Sequence, residues 1–176
     1  MSKKELIPEN AETLILSSII REPQRVFNLN GLKPFMMSNN THISLLDIMI
    51  SMAESNLQPN KQLLESKLSS TGKLELVGGI AFLDHLISQP EQSSENVDEY
   101  IEIVKESYRT REFMKAISSV NLETIQREGV TEVVSNMQTF MDKLMTNSGS
   151  GLTRQIGALI DDVYENIEKR TENPGI

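Results

Sequence analysis

No cysteine occurs in these 176 residues, which excludes a disulfide framework, a thiol nucleophile and any zinc site built on thiolates. Tryptophan is absent too, and aromatics make up only 5% of the chain, so a core must be assembled from Leu, Ile, Val and Met. Positive charge is in deficit: 17 Lys and Arg face 25 Asp and Glu, for a formal net charge of -8. Gripping duplex phosphates takes clustered cations whose binding releases counterions, so strong direct DNA binding is not expected. No stretch approaches the roughly 18 consecutive apolar residues of a membrane span, and MSKKELIPEN carries two lysines but no apolar h-region. The expectation is a soluble, cytoplasmic protein with no membrane partner.

Reaction chemistry is equally thin. Gly72-Lys73 resembles part of a phosphate-binding loop, but that motif needs a glycine five residues before the second one and Ser or Thr after the lysine. Those places hold Lys67 and Leu74, so no nucleotide hydrolysis is expected. Only two histidines exist, His42 and His85, with no zinc-binding spacing; each reads as a partly buried, hydrogen-bonded structural residue. The acid pairs Asp161-Asp162 and Glu95 with Asp98 and Glu99 read as solvated helix faces. Catalytic, cofactor-binding and metal sites are all expected to be none, and the chain is expected not to be an enzyme.

What the sequence does contain is helical periodicity almost throughout. Asn10 is placed to cap a first helix, with Glu12 in its first turn and Ala11, Leu14, Ile15, Ser18 and Ile19 on one face. THISLLDIMISMAES has a single thin polar row, Ser44, Asp47, Ser51 and Glu54, and is otherwise apolar, which marks a central core helix. Pro59-Asn60 opens a helix carrying Leu63, Leu64 and Leu68, and Gly78-Gly79 precedes one striped by Ile80, Leu83, Leu86 and Ile87. Residues 1–95 therefore read as a small helical globule. From residue 96 to 146 the pattern predicts a hairpin. Asn96 with Glu99 forms a capping-box variant, a long helix runs from Val97 to about Arg127, Gly129 breaks it, and a second helix carries Val133, Met137, Phe140, Met141 and Leu144. NSGSG makes 147–152 a flexible linker by composition. A last helix over 153–176 presents Ile156, Leu159, Ile160, Val163 and Ile167 as an apolar stripe that either folds back on its own domain or docks elsewhere. The methionines Met49, Met52, Met137, Met141 and Met145 serve as core filler or, at the hairpin, as an adaptable partner face.

Several segments, in order, resemble the N-terminal domain and linker of DnaB-family replicative helicases. IPENAETLILSSIIREP is similar to the family's opening. GLKPFMMSNNTHISLL is similar to the segment whose His, here His42, begins the central helix. TGKLELVGGIAFLDHL carries Gly72, Leu74, Gly78, Gly79, Phe82, Leu83 and Leu86 at matching places, and NVDEYIEIVKESYRTREF supplies the hairpin start and Arg111. ENPGI looks like the lead into a motor domain. Ser17 where Gly is usual, Asn60 for Asp and Ile43 for a basic residue suggest a divergent member, phage- or plasmid-encoded.

The resemblance implies an all-α collar domain that self-associates as a dimer, trimer of dimers or hexamer and binds the helicase-binding domain of primase and a helicase loader. The parent would be an ATP-dependent 5'-3' helicase, its ATP and Mg held in a motor domain absent from this chain. On that basis Ile101, Val104, Tyr108, Phe113, Ile117, Met137, Phe140 and Met141 are assigned to oligomer and primase contacts. The stripe Ile156, Leu159, Ile160, Val163, Ile167 is assigned to docking on an adjacent subunit's motor domain. The alternative is a stand-alone helical adaptor, a loader or inhibitor that mimics the collar.

Overall fold

A computed structural model describes residues 8–146, the side chains of 122, 123, 145 and 146 excepted. The expected linker 147–152 and linker helix 153–176, with Ile156, Leu159, Ile160, Val163 and Ile167, lie outside the described residues. Among those described there is no strand, only seven α-helices and three 3-10 turns, and no helix is long and apolar enough to cross a membrane.

The helices are α1 (Pro8–Arg21), α2 (Asn40–Glu54), α3 (Lys61–Ser70), α4 (Gly79–Ser88), α5 (Ser94–Ser119), α6 (Leu122–Glu128) and α7 (Val130–Thr146). Proline at the start of α1 suits a first helical turn, where its missing N–H would have no partner in any case. Asn10 therefore lies inside the helix rather than capping it. Asn39 caps α2 by accepting from the Thr41 N–H at 2.8 Å, and Asn60 caps α3 by accepting from the Leu63 N–H at 3.1 Å. Gly78 adopts φ +87°, and a Cβ there would stand 2.9 Å from the Phe82 Cβ, so both backbone hand and space require glycine between the third turn and α4.

The chain divides into two compact units between Lys115 and Ala116, later than the boundary expected at residue 95. In the first unit α2 is central as its pattern predicts, with Leu45, Leu46, Met49, Met52 and Ala53 buried. Around it lie Ile15, Leu16 and Ile19 of α1, Leu64 and Leu68 of α3, and Leu83 and Leu86 of α4. Ile80, expected on the buried stripe of α4, is 51% exposed instead. Arg21 closes the C-terminal end of α4, donating to the carbonyls of Ile87 and of Gln89, the latter at 2.6 Å.

Residues 94–128 depart from the expected single helix over 97–127. Ser93, not Asn96, sits at the start of α5, its hydroxyl accepting from the Asn96 N–H at 3.3 Å. α5 ends at Ser119, and Asn121 then caps a separate α6, accepting from the Thr124 N–H at 2.8 Å. An Asn side chain that satisfies the free N–H groups of a new first turn competes with continuing the old helix. In the second unit α6 packs against α7 across Gly129.

Ser17, one of the departures from the family pattern, is buried in α1, and its hydroxyl has no hydrogen-bond partner among the described residues. Removing an unpaired buried hydroxyl while improving helix propensity is favourable, so Ser17→Ala is expected to stabilise the protein by about 1 kcal/mol. A rise in the urea midpoint at unchanged slope would show it.

Candidate functional site

Helical spacing puts Glu12 on the same face of α1 as Ile15, Leu16 and Ile19, and there it is fully buried. Its carboxylate accepts from the Ser38 N–H at 2.5 Å, the Ser38 hydroxyl at 2.8 Å and the Asn39 N–H at 3.4 Å, and it meets His42 Nδ1 at 2.7 Å. His42 is itself buried, with its ring stacked on Phe82 at 5.6 Å between centroids. One carboxylate thus ties α1 to the N-terminus of α2 and to the loop entering it. The expectation of a hydrogen-bonded structural histidine describes His42, whereas His85 lies exposed on α4. The signal for Glu12 was present in the sequence, because an acid three and four residues before Ile15 and Leu16 falls on the apolar face. Reading it as a first-turn dipole partner missed the burial.

Burial raises the Glu12 pKa, but the hydrogen bonds from His42 and Ser38 and the charge of His42 outweigh it and hold the carboxyl below its ordinary 4.5. A folded-state value below the unfolded one means that the unfolded chain takes up the proton more readily. The stability this carboxylate contributes is therefore present above about pH 4.5 and lost as pH falls through the depressed folded value. Thermal midpoints recorded from neutral to acidic pH are expected to fall in that window, and Glu12→Gln should flatten the fall.

A second set of contacts holds residues 30–37 against α5. Lys105, only 6% exposed, donates to the Asn30 carbonyl at 3.0 Å, and the Asn30 amide donates to Asp98 at 2.7 Å. Further along, Arg111 donates to the Met36 carbonyl at 2.6 Å and to the Ser107 hydroxyl at 3.0 Å. Between these ties Phe35 stands 58% exposed, packed edge-on against Tyr108 at 5.5 Å between centroids. Burial first, and the Glu112 charge second, push the Tyr108 phenol above its ordinary 10.0.

The residues assigned to partner contacts fall into three groups. Ile101 and Val104 are fully buried in the first unit and cannot touch a partner while it is folded; their stripe is covered by their own globule. Met141 is likewise buried in the second unit. Tyr108, Phe113, Ile117, Met137 and Phe140 keep part of their surface in solvent. The structure adds exposed apolar side chains that the sequence reading did not assign to partners, Phe35, Leu76 (68% exposed) and Ile80 among them.

Among proteins of known kind, the family model for the DnaB-like helicase N terminal domain matches residues 5–106. The chain is 22% identical over 174 residues to the replicative DNA helicase DnaC of Bacillus subtilis (strain 168), a match covering 97% of this chain but 38% of that protein. The chain therefore spans well under half the length of this curated relative. The crystal structure of the N-terminal domain of DnaB helicase from Mycobacterium tuberculosis shares the fold at a TM-score of 0.62 and 21% identity, covering 73% of this chain and 92% of that one. With more than half of its length matched, and with the all-helical fold in place, the chain belongs to the family of DnaB-like helicase N-terminal domains.

Proposed function

We propose that this chain is the non-catalytic collar domain of a hexameric replicative DNA helicase, working by self-association and by docking primase or a helicase loader. The observation that carries the reading is the apolar face of α7. Val133, Met141 and Leu144 on it are buried, whereas Met137 and Phe140 on the same stripe keep part of their surface in solvent. Aromatic and methionine side chains left partly open are the residue types that anchor protein interfaces. In this reading ATP and Mg belong to a motor domain that follows in the parent protein. The stripe Ile156, Leu159, Ile160, Val163, Ile167 would dock on an adjacent subunit's motor domain.

Light scattering over a concentration series tests the reading. Growth of the assembled fraction with concentration is expected, as is co-elution with the helicase-binding domain of the cognate primase. A strict monomer at high concentration that also ignores primase would overturn it.

A further inference from the structure

Asn30 and Gly31 form the only Asn-Gly pair in the chain. They occupy the two central places of a tight turn, at φ +46° and +80°, closed by the Leu32 N–H donating to the Leu29 carbonyl at 2.8 Å. Both residues are exposed, and open space surrounds the position a Cβ would take on Gly31. Paired positive φ values explain why Asn-Gly suits the turn. They do not explain why two charged side chains of α5 are trained on it.

We infer that Asn30–Gly31 is a self-modifying site, at which Lys105 and Asp98 promote deamidation of Asn30. The Gly31 nitrogen, after losing its proton to solvent, attacks Asn30 Cγ, forming the N–Cγ bond of a five-membered succinimide. The Cγ–Nδ2 bond breaks and ammonia departs with a proton from water. Water then opens the ring to leave aspartate or isoaspartate at position 30. No oxidant or reductant is required.

The Asn30 carbonyl and the Gly31 nitrogen share one peptide unit. The Lys105 ammonium, which also donates to Glu102 at 2.7 Å, lies 3.0 Å from that carbonyl oxygen and stabilises the negative charge that spreads onto it when the nitrogen is deprotonated. Asp98, 2.7 Å from Nδ2, faces the nitrogen that turns cationic as it leaves. Both charges match the developing charges of the reaction. The product undoes the contact that made it, because a carboxylate at 30 confronts the carboxylate of Asp98. In the isoaspartate form an added backbone methylene also disrupts the turn and uncovers Lys105.

The full chain, aged at 37 °C in mildly alkaline buffer, is followed by peptide mapping for conversion at Asn30, beside the same chain unfolded in urea. Folded protein is expected to convert at least about tenfold faster than unfolded, the factor that 1.4 kcal/mol of transition-state stabilisation gives. Lys105→Met is expected to erase the difference while Lys105→Arg keeps most of it, and converted protein should gain reactivity at Lys105 toward amine reagents. Conversion no faster in the folded chain than in urea would overturn the inference. So would an unchanged rate in both Lys105→Met and Asp98→Asn. If Lys105→Met does not fold, Asp98→Asn carries the comparison alone.

Discussion

Replacing Glu12 with alanine is expected to cost about 3 to 5 kcal/mol of folding stability, since several donors lose a buried acceptor and each one left unpaired costs roughly 1 to 3 kcal/mol. The loss has several parts. His42, the Ser38 N–H and hydroxyl and the Asn39 N–H all lose their acceptor inside the protein. A void replaces the carboxylate, and the loop entering α2 is released from α1. On a domain of this size the thermal midpoint should drop by on the order of 10 °C. His42→Ala alone should be milder, since the backbone and hydroxyl donors stay on Glu12. The double variant should lose less than the two singles together, because both remove the same 2.7 Å contact. Denaturant midpoints of the four proteins check this, and strict additivity would mean that the pair is not a unit.

Aspartate at both Met137 and Phe140 is expected to weaken self-association or primase capture by at least about tenfold, each interface anchor being worth more than about 1 kcal/mol. Both side chains are partly exposed and neither is among the fully buried residues, so the substitutions place charge on a partly open face. Retained helicity by circular dichroism confirms that α7 survives. Ile101→Val is the matched control. That side chain is fully buried, so its loss should appear as about 0.5 to 1.5 kcal/mol of folding stability with association unchanged. If the control weakened assembly and the double aspartate did not, the partner face would lie elsewhere, with Phe35 and Ile80 as the next residues to test.

Ile101 and Val104 show where reading the sequence stops. Their stripe is unmistakable at helical spacing, but a period identifies a face and not what covers it. Ile101 and Val104 are fully covered by their own globule, whereas Met137 and Phe140 are covered only in part. The break at Val120 and Asn121 was hidden for a related reason. An Asn in a helical pattern can sit exposed in mid-helix or cap a new start, and local propensity barely separates the two.

The sequence by itself determined that this chain is helical, that Leu45, Leu46, Met49 and Met52 form its centre, and that Asn60 and Gly78 punctuate it. Hydrophobic period, capping chemistry and backbone hand are local and act within a few residues. Only the tertiary structure decided that Glu12 would find His42 thirty residues away, that Arg111 would reach the Met36 carbonyl, and that Lys105 would come to rest on Asn30. Those pairings join residues 30 to 75 positions apart. Which polar groups are buried together depends on how whole helices pack, and no short window of sequence contains that information.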